Sequence, residues 1–132
     1  MKLKEIKDFL ESLAPISYQE AYDNSGLQIG NPEMIVEKVL ICLDITEQII
    51  DEALENNCNL IISHHPIIFK GLKKITGTNY VERVVQKAIK YDVALYAIHT
   101  NLDNVLDNGV NQRLAQKLGL ENINILDPKK NQ

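Results

Sequence analysis

An α/β domain, a mostly parallel sheet flanked by helices, is the fold this sequence predicts, and three observations carry the prediction. The apolar runs Val39-Leu40-Ile41-Cys42-Leu43, Leu60-Ile61-Ile62 and Val93-Ala94-Leu95-Tyr96-Ala97-Ile98 are continuous rather than alternating. That is the pattern of strands covered on both faces. Segments of helical period lie between these runs, and the connections are short, which implies parallel pairing through right-handed crossovers. Finally, a chain of 132 residues with 45% apolar content can build one core and is too short for two comfortable ones.

The first element is a helix, with Leu3, Ile6, Leu10 and Leu13 on one face and Lys4, Lys7, Asp8 and Glu11 outside that stripe. Pro15 closes it. Tyr22-Asp23-Asn24-Ser25-Gly26-Leu27-Gln28-Ile29-Gly30 follows as a turn-forming cluster and a short alternating run; turn chemistry alone leaves a plain loop and a functional one equally open. Residues 36–44 read as a strand, and its unbroken apolar run predicts a central place in the sheet. Thr46 is placed to cap the next helix, whose buried face is Ile49, Ile50, Ala53 and Leu54 and which Asn56-Asn57 stops. After the strand over residues 59–63 comes an apolar loop, Ile67 to Leu72. A helix with Val81, Val84, Val85, Ala88 and Ile89 inside then leads to the strand over 93–98, and a last helix over 107–118 ends at Gly119. Residues 1–126 are expected to form the domain and 127–132 to leave it as a tail.

Composition narrows the function. A net charge of −4 and a pI near 5.3 leave no basic stripe to neutralise phosphates, since Lys73-Lys74 is only a local doublet. Nucleic acid is therefore not an expected partner. Cys42 and Cys58 lack metal or redox spacing and read as small core residues of a reducing compartment, though the sequence leaves a disulfide open. No leader and no long apolar span is visible, which predicts a cytoplasmic protein without a membrane partner.

The chemistry gathers at two strand ends. The run Asn59 to Ser63 stops in His64-His65-Pro66, and the run Val93 to Ile98 stops in His99-Thr100-Asn101-Leu102-Asp103. Open α/β sheets build their sites at such carboxyl ends. Successive strand side chains face opposite ways, so neighbouring histidines share a pocket only where the backbone turns, and Pro66 favours that turn. The bland reading has one histidine hydrogen-bonded and the other solvated, but a pair at a strand end favours metal ligation. Imidazoles with a carboxylate suit Zn, Mn, Fe, Co or Ni rather than Ca or Mg. Such a metal acidifies water and polarises a carbonyl or phosphoryl oxygen, so hydrolysis is the economical reading. No P-loop or G-x-S-x-G elbow competes, and a nucleophilic Ser63 is disfavoured because the adjacent His64 points away from it along a strand.

Asp23-Asn24-Ser25-Gly26-Leu27-Gln28-Ile29-Gly30, Ser63-His64-His65-Pro66 with Phe69, and His99-Thr100-Asn101-Leu102-Asp103 together resemble the NIF-three-like family, the GTP cyclohydrolase 1 type 2 homologues. The resemblance runs over nearly the whole chain. It implies a NIF-three-like α/β fold, a dinuclear centre of two divalent transition-metal ions, a ring-shaped homohexamer and a nucleotide substrate, with metal-activated water as the nucleophile. It implies His64, His65 and Asp103 as metal ligands, Asp103 bridging. His99 is read as a supporting or proton-handling residue, or as a structural histidine closing its strand. Family members are much longer and take a further histidine and glutamate from a C-terminal segment, whereas here no histidine follows His99 and Glu121 is the only later glutamate. Three ligands suffice for one open zinc and not for two ions, so this sequence reads as an N-terminal half leading to a missing C-terminal half. The alternative to a hydrolase is a metal-binding regulatory or scaffold protein.

Overall fold

The computed structural model describes residues 1–128; the last four residues of the expected tail lie outside that range. Helix α1 (Leu3–Leu13) is followed by a single 3-10 turn (Ile16–Tyr18) and strand β1 (Gly26–Ile29). Then come β2 (Val39–Cys42), α2 (Glu47–Glu55), β3 (Leu60–Ser63), α3 (Tyr80–Lys90), β4 (Ala94–Ala97), a one-turn helix α4 (Thr100–Asp103) and α5 (Val110–Lys117). The caps are where the residue types put them. Thr46 Oγ1 accepts the Ile49 amide at 3.2 Å, and the Asn79 side chain accepts the Glu82 amide at 3.0 Å. Asn57 in the left-handed region ends α2, and Gly119, at φ +70°, ends α5.

The sheet runs β1-β4-β3-β2. Its β2–β3 and β3–β4 pairs are parallel, as the crossovers α2 and α3 require, but β1 lies antiparallel against β4, so the sheet is mixed rather than mostly parallel. The stretch Gly26 to Ile29, expected only as an alternating run beside a turn, is thus an edge strand. Gly30 makes its close approach possible: at φ +128° a Cβ there would sit 2.7 Å from the Ala94 Cβ. The central place expected for β2 is also corrected, because it forms the opposite edge, with Ile41 78% exposed.

Unequal cover explains that exposure. On one face α2 and α3 bury Ile50, Ala53, Val84 and Ala88 against Ile61 and Leu95. On the other, α1 lays Leu3, Ile6 and Leu10 over Leu60 and Tyr96 and does not reach Ile41 or Leu43. The predicted stripes overhang in the same way at their ends, leaving Leu13 and Ile89 about half exposed or more. Both cysteines are free thiols. Burial, then the charges of Asp44 and Glu52, push the Cys42 thiol up to about 11.

Candidate metal centre

The site inherits its geometry from the parallel register. Ser63 pairs with Ala97, so the residues that follow β3 and β4 emerge level with one another. The ladder goes on in the backbone for two more steps: the His64 amide donates to the Cys42 carbonyl (3.2 Å) and the His65 amide to the Leu43 carbonyl (3.0 Å). Across the other side, the Ile98 amide donates to the Ser63 carbonyl at 2.9 Å. Ser63 itself is buried and its hydroxyl donates to the His65 carbonyl at 2.8 Å, which gives it a structural task.

Three imidazoles converge above these ends. Ring centroids lie 4.9 Å apart for His64 and His65, 5.2 Å for His64 and His99, and 5.5 Å for His65 and His99. One nitrogen from each ring falls within 4.8 Å of the others. The hydrogen bonds say which nitrogen is available. His64 Nδ1 lies 3.0 Å from the Ile98 carbonyl, His65 Nδ1 2.8 Å from Asp44 Oδ1 and His99 Nδ1 2.8 Å from Asp23 Oδ1. A carbonyl or an ionised carboxylate only accepts, so each Nδ1 carries a proton, and in the neutral ring Nε2 is the nitrogen left with a lone pair. Asp103 completes the rim from α4, its Oδ1 3.8 Å from His64 Nε2.

Asp23 and Asp44 are the participants that sequence reasoning missed. Asp44 carries a signal in hindsight, as a carboxylate ending β2 level with the other strand ends. Asp23 reaches the site from a turn 76 residues away in sequence, and nothing in residue spacing announces it. Its side chain is fully covered. Burial pushes its carboxyl up, but hydrogen bonds from His99, Thr100, the Asn24 amide and Ser25 outweigh that and hold it well below the usual carboxylate range. The Thr100 side of this clamp is double, since both its amide and its hydroxyl donate to Asp23 Oδ2.

The same turn governs the loop after Pro66. The Ile68 amide donates to Gln28 Oε1 at 2.9 Å, and the Asn24 side-chain amide donates to the Ile68 carbonyl at 2.5 Å. Phe69 thereby stands edge-on to His99 at 6.4 Å, with Tyr22 tilted against it at 6.3 Å. Three fixed imidazole nitrogens beside one carboxylate suit a borderline divalent transition metal and not an oxygen-seeking Ca or Mg ion. Among the described residues this is a single cluster, a donor set for one ion.

The model of the Duf34/NIF3 (NGG1p interacting factor 3) family matches residues 1–132. This chain belongs to the Duf34/NIF3 family. A GTP cyclohydrolase 1 type 2 homolog of Clostridium acetobutylicum is 42% identical over 126 residues, which are 96% of this chain and 47% of the relative. That of Bacillus subtilis is 42% identical over 95% of this chain and 33% of its own length. Among solved structures, a Bacillus cereus protein related to NIF3 superposes with a TM-score of 0.89 at 43% identity, covering 98% of this chain and 36% of that one. Reduced HcgD from Methanocaldococcus jannaschii gives 0.86 at 34% identity, over 96% of this chain and 50% of that one. The chain thus spans between a third and a half of the relatives it matches. No helix among the described residues is long and apolar enough to cross a membrane.

Proposed function

We propose that this NIF3-family chain supplies the histidine face of a metal-dependent hydrolase acting on a nucleotide, in the manner named by its GTP cyclohydrolase 1 type 2 homologs. One observation carries the reading: three imidazoles each have Nδ1 tied to an oxygen acceptor, and one nitrogen of each ring lies within 4.8 Å of the others. That arrangement favours ligation over chance proximity, because a ligating imidazole needs its second nitrogen fixed. His64, His65 and Asp103 are the proposed metal ligands. His99, whose Nδ1 is held by the covered Asp23 carboxylate, is the proposed proton-handling group.

When bound, a divalent transition metal here would lower the pKa of water and so supply a nucleophile at neutral pH. The chain's own groups do the rest. The Ile98 carbonyl and Asp44 keep two imidazoles in the ligating tautomer. His99 accepts a proton at Nε2 while Asp23 holds the resulting imidazolium. Phe69 and the loop tethered to Gln28 shield the edge of His99 from water. A second ion needs donors beyond these three ligands, so the dinuclear form and the hexameric ring are proposed for an assembly that adds them. Residues 1–126 act as one unit within it.

The experiment is elemental analysis of purified wild type, H64A and H99Q alongside a GTP turnover assay. H64A is expected to lose its metal while keeping its circular dichroism spectrum. H99Q is expected to keep metal and lose turnover by about 10² to 10⁴. Metal retained by H64A at the wild-type level would sink the assignment. Metal held without turnover in wild type would move the centre to a structural or sensory role.

A further inference from the structure

His65 faces more than the metal centre. A cleft of about 370 Å³ opens beside it, lined by Asp44, Thr46, His65, Pro66, Ile67 and Tyr80. This volume is in the range of small-molecule sites. Its walls divide sharply by chemistry. Tyr80, Pro66 and Ile67 form an apolar side, and Tyr80, the first residue of α3, is 56% exposed, so its ring is available for contact. The hydrogen-bonding side is Asp44 and Thr46. Among the described residues only Oδ1 of Asp44 is engaged, by His65, which leaves Oδ2 to accept. Thr46 Oγ1 accepts the Ile49 amide, which leaves its hydroxyl proton to donate. A second cleft of about 440 Å³, with Phe69, Leu72 and Val81, shares Pro66, Ile67 and Tyr80 with the first.

A cleft lined by a tyrosine and a proline ring together with an acceptor and a donor selects a particular kind of molecule. Its ring must be planar, to lie on Tyr80 and Pro66. Its edge must present N–H groups to a carboxylate and a carbonyl oxygen to a hydroxyl. We propose that this cleft is the ring-binding subsite of the centre, taking a planar nitrogen heterocycle of the 2-amino-oxo type, with Tyr80 as its stacking platform and Asp44 as the reader of its N–H edge. This rests on the hydrolase reading for its place in a reaction but not for its binding. Asp44 then has two duties, fixing His65 with one oxygen and recognising the ring with the other, which couples recognition to ligand geometry.

The test separates the two readings by removing the metal. Chelator-treated chain is titrated with guanosine, 1-methylguanosine and adenosine by calorimetry, for wild type, Y80A, Y80F and D44N, with circular dichroism checking the fold of each. Wild type is expected to bind guanosine with preference over the other two. Y80A should bind it about tenfold more weakly and Y80F within about twofold of wild type, as stacking without a hydroxyl requires. D44N should lose the discrimination against 1-methylguanosine, because its amide presents a donor to a donor. Equal binding by wild type and Y80A, or no guanosine binding by wild type, would overturn the subsite and leave the metal reading standing. Ring binding that follows these variants in a protein that never takes up metal would sustain the subsite and remove the hydrolase.

Discussion

The body and the end of β3 stand two residues apart and answer to opposite demands. Leu60 and Ile61 are wholly buried, packed on opposite faces of the sheet between α1 and the α2–α3 pair. His64 and His65, just beyond, have side chains 24% and 46% exposed and spend their polar contacts on Ile98, Asp44 and Asp103. Stability is kept in the body of the strand and chemistry at its end. The core holds the strand, the ladder holds the backbone of its end, and the imidazoles are left free to ligate.

The strongest way to break this division is to cut into the body. I61A removes most of a fully buried side chain beneath α2 and α3 and should cost about 2 to 5 kcal/mol of unfolding free energy in a urea titration. Metal bound per folded chain should stay unchanged; a proportionate loss of metal would mean that body and end are one cooperative unit. The complementary change, D44N, leaves every core contact in place and, within the metal centre, alters the partner of His65. It should weaken metal affinity by about 10- to 100-fold in a competition titration, with the melting temperature unmoved.

A third test probes a loop away from both. Hydrogen bonds from the Thr78 and Thr76 amides and the Thr76 hydroxyl hold the Glu82 carboxyl below its ordinary value, tying the loop before α3 to that helix. A depressed folded-state pKa gives stability that is present above the unfolded value, about 4.3, and is lost as pH falls through the folded one. E82Q should therefore lower the melting temperature slightly at neutral pH, and the gap from wild type should close in acid. A gap independent of pH would show that shape rather than charge fixes this loop.

Much of this was legible in the sequence, for reasons that also explain what was not. Continuous apolar runs mark β3 and β4 because both are covered on two faces, and helical stripes mark α1, α2 and α3 because each has one face to bury. The same rule misplaced β2. Ile41 and Leu43 belong to an apolar run, yet they are exposed, so apolar content there reports something other than cover in this chain. For β1 the obstacle was different: four residues with a shifted register between Leu27 and Ile29 are too short and irregular for periodicity to register. In the centre, His64, His65, His99 and Asp103 announced themselves as residue types at strand ends. The Asp23 contact did not, because a bond across 76 positions is decided by how the fold closes and not by any local pattern.

The register of β3 on β4 also sets how the chain tolerates changes in length. His64 and Ile98 are each one position beyond the last matched pair, Ser63 and Ala97, so the distance between imidazole and anchoring carbonyl is counted in residues from that pair. An insertion between 70 and 79 lengthens a connection and leaves the count intact. One inserted residue within Leu60–Ser63 turns every later side chain of the strand to the other face and takes His64 away from Ile98. Viable length variants of this domain should therefore gather in that loop and be missing from the four strand residues that precede the histidines.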